Sequence, residues 1–177
     1  MLPRALNALW EGMQDNRRVT LAMVSDLSGE EFSRREEGEW SVAWILEHLV
    51  LAETGTGKVI RKMLKENAGK LPPYPDDDYV LVLRKAGRSD ERMTVAPEVA
   101  LPKGSLGKEE ILMSATKARQ ETRITLEMLG NVDPRSAEFP HPFFGSLNLY
   151  EWPQRIILDH ERQHHPQIEK VLRSLRN

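Results

Sequence analysis

Residues 40–49, WSVAWILEHL, have the sequence of a helix start. Ser41 is a residue type that caps helix N-termini, and Trp40 before it can pack on Ile45 as a hydrophobic staple. From Ile45 to Met63, apolar residues recur at three- and four-residue steps, as on the buried face of an amphipathic helix. The stretch therefore predicts a long helix with one face in a core.

Three further segments show the same periodicity, at 6–27, 111–129 and about 150–175. In the first of them Arg17 interrupts the apolar stripe. Four helices of this length predict an all-α fold, a four-helix bundle, because each helix must bury its apolar face against the others. The length of 177 residues predicts a single domain over 1–177.

The connections between these helices are uneven in length. Residues 68–106 form a long link between helices 2 and 3, of the kind that serves as a lid, a crossover or a partner surface. Within it, YVLVL (79–83) fits either a short strand or a helical turn. Residues 131–149 contain three prolines and are predicted to be a second loop.

Composition excludes several functions. The net charge of −2 offers no basic surface for nucleic acid. The chain has no cysteine, which excludes disulfides, thiolate zinc sites and a cysteine nucleophile, and which fits a cytoplasmic protein. The most apolar stretch, 41–52, contains Glu47 and His48, so no membrane partner is expected. If the protein uses a thiol, the thiol must come with a co-substrate.

Three histidines fall on the predicted buried faces. His160 and His164 are four residues apart, so their side chains project from one helix face about one turn apart. His48 lies on the apolar stripe of the second helix. Two imidazoles from one helix and one from another suit a divalent metal ion with open positions for water or substrate. The alternative is that all three are core histidines, each satisfied by one hydrogen bond, and the spacing does not decide between the two.

Other polar residues carry weaker predictions. Gln167 shares the face of His164 and could position a substrate, or it could be a partly buried polar residue. Glu53 could accept the outer N–H of a ligand imidazole, although a surface role is expected. His165 lies off the stripe and is expected to be solvated. His141 stands in a loop between two prolines, where its expected role is structural unless the loop reaches the site.

Two further residues affect the site. Pro166 stands inside the fourth helix, where it removes one hydrogen bond at a cost of about 3 kcal/mol or more if unrelieved. The apolar stripe keeps its phase beyond it, which predicts a kink and not a helix end. Trp44, one turn before His48, is predicted to pack in the core or to form a wall of a pocket.

Three motifs, in order along the chain, resemble those of the DinB-like superfamily of small bacterial four-helix proteins. They are GEWSVAWILEHLVLAE (38–53), HPFFGSLNLYEW (141–152) and HERQHHPQI (160–168), and APEVALPKG (96–104) adds a fourth similarity. The resemblance implies an up-down-down-up four-helix bundle that is often a homodimer. It also implies a divalent metal ion bound by His48, His160 and His164.

The resemblance extends to function, because characterised relatives include transferases of low-molecular-weight thiols and a thiol-dependent isomerase. The expected function is metal-dependent S-transferase-type chemistry on a small molecule, as in a stress response, with Gln167 as the catalytic positioning group. Zinc or nickel is the expected metal, ahead of manganese or iron. The alternatives are a metal-dependent hydrolase and, in another class, a non-catalytic dimeric protein that binds a small ligand.

Overall fold

The computed structural model describes residues 1–76 and 98–176 and confirms the predicted four-helix bundle. Within those residues the helices are α1 (Arg4–Val24), α2 (Gly29–Ser33), α3 (Val42–Glu66), α4 (Lys108–Leu129), α5 (Glu151–Pro153) and α6 (His160–Ser174). The long link joins α3 to α4, as predicted, and includes a 3-10 turn at Glu98–Ala100. The stretch YVLVL (79–83) lies outside the described residues.

The start of α3 at Ser41 and the continuation of α6 beyond Pro166 agree with the predictions from the sequence. The Ser41 hydroxyl accepts the backbone N–H of Trp44 at 3.2 Å, which satisfies one of the amides that a helix start leaves without a partner. α6 continues through Pro166, so the helix does not end there. The helix predicted from about Tyr150 is not α-helical throughout, because Gln154–Asp159 form a π-helical segment directly before α6.

A β-hairpin takes the place of the second predicted loop. β1 (Glu138–His141) pairs in antiparallel orientation with β2 (Gly145–Asn148), with Phe139 opposite Leu147. Gly145 has φ of 70°, a backbone conformation that glycine adopts without strain. The sequence conceals these strands because each has only four residues, and because Pro140 lies within β1 and Pro142 directly follows it.

The buried apolar residues form two clusters. The first draws on the N-terminal half of α1, the ends of α3 and α4, and the hairpin: Leu2, Leu6, Leu9, Met13, Ile60, Leu126, Leu129, Ala137, Leu147, Leu149, Trp152 and Ile157. The second lies towards the other end of the bundle: Val24, Phe32, Val42, Ala43, Ile45, Leu46, Leu49, Ile111 and Ile168. On each long helix, buried polar residues fall between the two: Asn16, Thr20, Glu53, Thr56, Arg119, Thr122 and Glu161.

Two arginines and two glutamates, one from each long helix, form the centre of this polar layer. Arg17 donates from Nε to Glu161 Oε1 at 2.7 Å and from Nη2 to Glu53 Oε2 at 2.9 Å. Arg119 donates from Nε to Glu53 Oε1 at 2.7 Å and from Nη2 to Glu161 Oε2 at 3.0 Å. Each arginine therefore bridges both glutamates. This Arg–Glu cluster ties α1, α3, α4 and α6 together.

The cluster is balanced in charge and in hydrogen bonds. The hydroxyls of Thr20 and Thr122 donate to the carboxylates of Glu161 and Glu53, respectively. Burial alone would raise the pKa of Glu161, but the charges of Arg17 and Arg119 and the hydrogen bonds from Arg17 and Thr20 together outweigh it and lower that pKa. The expected surface role of Glu53 is wrong, because its side chain is only 1% exposed and lies in the cluster.

Replacement of Arg119 should be costly. In Arg119→Met, Glu53 and Glu161 would share one guanidinium group in the core, and an uncompensated buried charge costs about 3–5 kcal/mol. We expect the free energy of unfolding to fall by that amount in equilibrium urea denaturation.

The matched control is Arg123→Met, one turn further along α4. Arg123 pairs with Glu127 at 2.9 Å, but the two side chains are 33% and 51% exposed. Exposed pairs of this kind contribute at most about 1 kcal/mol. Equal losses in the two variants would contradict a balanced buried cluster.

Candidate metal centre

Three imidazole rings meet beside the Arg–Glu cluster. Nε2 of His160 lies 3.1 Å from Nε2 of His48 and 3.1 Å from Nε2 of His164. One ligand atom from each ring falls within 4.8 Å of the other two. The structure thus brings together, from α3 and α6, the three histidines that were predicted to lie on the buried helix faces.

The outer nitrogens of two of these rings have acceptors. Nδ1–H of His48 donates to the Ala100 carbonyl at 2.7 Å, and Nδ1–H of His164 donates to Gln167 Oε1 at 2.7 Å. Because a neutral imidazole carries one proton, Nε2 of both rings has a free lone pair that points into the site. Such outer hydrogen bonds are how proteins fix the tautomer of a metal-binding histidine.

The π-helical segment changes the backbone hydrogen bonds beside the third ring. The backbone N–H of His160 bonds to the carbonyl of Arg155, five residues earlier, and to that of Ile157. The Ile156 carbonyl, four residues earlier, opposes the lowering of the pKa of His160. Nδ1 of this ring is buried and has no hydrogen-bond partner among the described residues. Segments of π-helix often occur at functional sites.

The proton count favours a cation between the rings. A proton on His160 Nε2 could bond to only one of its two neighbours, so at least one of the two 3.1 Å contacts has no proton between its nitrogens. Nitrogens at such a distance repel one another unless a positive ion accepts their lone pairs. Two imidazole nitrogens that bind one zinc ion at about 2.0–2.1 Å lie about 2.8–3.4 Å apart, and the observed 3.1 Å falls in that range. The residues therefore fit a divalent metal ion.

Burial keeps the rings neutral. It lowers the pKa of His160 to about 3, with further lowering by charge on His164, His48 and His141. Burial also lowers the pKa of His164 to about 4. It lowers the pKa of His48 as well, although the hydrogen bond to the Ala100 carbonyl opposes this effect. Neutral imidazole is the form that binds metal, so the site is ready for an ion at neutral pH.

Trp40, and not Trp44, is the aromatic neighbour of the histidines. Its ring is parallel to that of His164 at a centroid distance of 6.5 Å and makes an edge contact with His48 at 5.2 Å. Trp44 makes an edge contact with Trp40 at a centroid distance of 6.3 Å, and the Arg35 guanidinium lies 4.1 Å from the Trp44 ring centroid. The sequence showed Trp40 only as a residue before a helix cap, which gives no indication of this contact.

The link after the 3-10 turn is docked on α3 beside the site. The Glu47 carboxylate accepts the backbone N–H groups of Lys103 and Gly104 at 3.1 and 2.9 Å. Gly104 has φ of 67°, and a side chain there would collide with the indole of Trp44. Together with the Ala100 contact, these bonds place the described part of the link behind His48.

The chain as a whole was compared with known proteins. Residues 13–168 match the sequence profile of the DinB superfamily. The protein belongs to the DinB superfamily. No curated protein matches the chain.

Among solved structures, this DinB-superfamily chain is similar to TT2238, described as a four-helix bundle protein. The TM-score is 0.60, with 20% sequence identity, over 94% of this chain and 98% of that chain. At this identity the likeness supports the fold alone. Within residues 1–76 and 98–176, no helix of the protein combines the length and the hydropathy needed to cross a membrane.

The remaining predicted residues of this DinB-superfamily protein lie around the three rings. Gln167 contacts the outer nitrogen of His164, so its amide lies behind that ring. His165 is half-buried, with Nε2 at 3.0 Å from the Thr20 hydroxyl, which contradicts the expected solvated position. His141 ends β1 and lies close enough to His160 for its charge to lower the pKa of that ring.

The lowered pKa values predict acid sensitivity of the metal-free protein. An unfolded histidine has a pKa of about 6.5, so between that value and the folded values the unfolded chain binds protons that the folded chain does not. Stability is therefore lost as the pH falls. Between pH 7 and 5 we expect a loss of roughly 1–2 kcal/mol for each of His160 and His164.

Urea unfolding in the presence of EDTA at the two pH values measures this loss. His160→Gln removes one titrating ring, so the difference between the two pH values should shrink in that variant. A metal-free wild type that is equally stable at both would show that the rings are not held neutral by burial.

Proposed function

We propose that this protein is a metal-dependent enzyme that acts on small molecules, with thiol-dependent S-transferase-type chemistry at a site formed by His48, His160 and His164. The observation that carries the proposal is the convergence of three Nε2 atoms, of which those of His48 and His164 carry free lone pairs. Membership of the DinB superfamily and the resemblance to thiol transferases support the choice of reaction. Assembly as a homodimer and a role in stress chemistry remain predictions.

The ligand set is electrically neutral. The group of His48, His160 and His164 includes no carboxylate among the described residues. The nearby Glu161 and Glu53 are engaged by the two arginines of the Arg–Glu cluster. A divalent ion held there would supply Lewis acidity and lower the pKa of a thiol or water at an open position.

The surrounding residues hold the rings in place for this role. The Ala100 carbonyl and the Gln167 amide fix the tautomers and directions of His48 and His164. We assign Gln167 to positioning His164, since its Oε1 accepts the Nδ1–H of that ring. Trp40 packs against His48 and His164 on one side of the site.

Metal binding is the first test. Wild-type protein should bind one zinc ion per chain, and free zinc at about 100 times the Kd should add about 2.7 kcal/mol to the free energy of unfolding. His164→Ala should weaken zinc by more than about 100-fold, since loss of a ligand costs more than loss of its outer hydrogen bond. Isothermal titration calorimetry and thermal unfolding measure both effects.

His165→Ala is the matched control for that variant. It changes the adjacent histidine, whose Nε2 contacts Thr20 and not the other rings. It should keep the wild-type zinc affinity. Full affinity in His164→Ala, or no zinc in the wild type, would exclude the three-histidine site.

The second test concerns the reaction. Zinc- or nickel-loaded protein should accelerate conjugation of glutathione or cysteine to an electrophilic alkyl halide, and EDTA or His160→Ala should abolish the acceleration. Because the chain has no cysteine, no protein thiol contributes to the measured rate.

Ester cleavage without any thiol provides the comparison. If the loaded protein hydrolyses esters but conjugates no thiol, the reaction is metal-dependent hydrolysis. If metal binds stoichiometrically and neither reaction exceeds the background across a panel of thiols and esters, the non-catalytic ligand-binding protein becomes the better description.

A further inference from the structure

Glu47, the residue directly before His48, is buried although its side chain is a carboxylate. It is only 6% exposed. Its two oxygens accept different backbone N–H groups of the link, Oε1 that of Lys103 at 3.1 Å and Oε2 that of Gly104 at 2.9 Å. Among the residues that the structure describes, these are its hydrogen-bond partners. Because a buried carboxylate without partners is costly, the two bonds hold the link against α3.

A second contact fixes where the link docks. Gly104 has a positive φ of 67°, and a side chain there would collide with the indole of Trp44. Trp44 lies three residues before Glu47, so both residues project from the same side of α3. The link therefore meets the helix at two neighbouring positions, and its register on α3 is defined.

The docked link determines which nitrogen of His48 carries the proton. The Ala100 carbonyl, three residues before Lys103, accepts Nδ1–H of His48 at 2.7 Å. Without this acceptor the proton could move to Nε2, where it can donate to Nε2 of His160 at 3.1 Å. That tautomer has no lone pair for a metal ion. The docked link thus favours the tautomer of His48 that binds metal.

We propose that Glu47 is a positioning residue that couples docking of the link to metal binding by His48. It acts through the backbone of Lys103 and Gly104 and through the Ala100 carbonyl, without contact with the ion. Such coupling is reciprocal, so a bound ion must favour the docked link by the same factor by which the docked link favours the ion. The inference rests on the proposed metal site and adds control of its metal affinity by the link.

The tautomer of His48 is the first measurement, in metal-free, full-length protein with isotopically labelled histidine. The NMR shifts of the two ring nitrogens distinguish the tautomers, and His48→Gln identifies the signals of this ring. We expect the proton on Nδ1 in the wild type. It should move towards Nε2 in Glu47→Ala, which loses both bonds to the link. Glu47→Gln keeps one acceptor oxygen and should lie between the two.

Zinc affinity, measured by isothermal titration calorimetry, is the second. Glu47→Ala should weaken zinc by about 10-fold to 100-fold, as is usual for loss of the support of a ligand histidine. Gly104→Ala disturbs the same link from its other contact and should change the affinity in the same direction. Lys103→Ala is the matched control, because its exposed side chain is removed while its backbone N–H stays. It should bind zinc as the wild type does.

Hydrogen exchange tests the reciprocal effect in the wild type. Zinc should slow exchange of the Lys103 and Gly104 amides by the factor that Glu47→Ala loses in zinc affinity. The amide of Gly130, which bonds to the Leu126 carbonyl at the other end of α4, should not show this slowing.

Three outcomes overturn the inference. A lower melting temperature in Glu47→Ala with unchanged zinc affinity and His48 tautomer would give Glu47 a purely structural role. Weaker zinc binding in Glu47→Ala, with no effect of zinc on exchange of the link amides, would mean that Glu47 acts by its charge. If Glu47→Ala does not fold, Glu47→Gln and Gly104→Ala decide between these results. Absence of zinc binding in the wild type would refute the proposed metal site itself, and it differs from the other two because it needs no substitution.

Discussion

The bundle depends on the neutralisation of two glutamates that have no access to water. Glu53 and Glu161 can be charged in the core only because Arg17 and Arg119 each bridge both of them. The four side chains come from four helices, so the rotation of each helix about its axis is set by the same contact. Glu161 directly follows His160, and with α6 held in this rotation His160 and His164 face α3. The convergence of the three histidines is thus coupled to the ion cluster.

The sequence predicted the convergence of the three histidines better than it predicted the core around them. Helix faces are local properties, and the four-residue spacing of His160 and His164 could be interpreted without knowing any partner. Burial of Glu53 could not be predicted in this way, since its partners Arg17 and Arg119 are 36 and 66 residues away. Isolated charges on a helix are usually exposed, and only the three-dimensional pairing reverses that expectation.

The same reasoning explains what else was missed. The Ala100 and Ile156 carbonyls act through backbone atoms, which leave no signal in side-chain patterns. Trp40 contacts His164 across 124 positions of sequence, a distance that periodicity does not bridge. The family resemblance supplied the metal and the reaction as expectations, but it did not indicate how the tautomers of the rings would be fixed. That information lies in the tertiary contacts.

The acceptor of His48 lies outside the bundle. Ala100 belongs to the link between α3 and α4, and Glu47 docks the next residues of that link by two backbone hydrogen bonds. The helices that carry the Arg–Glu cluster and the segment that orients His48 are therefore separate pieces of chain. Substitutions in the link can change the orientation of His48 while the Arg–Glu cluster preserves the fold. A single helical bundle of this kind can support different chemistries by exchange of its connecting segments.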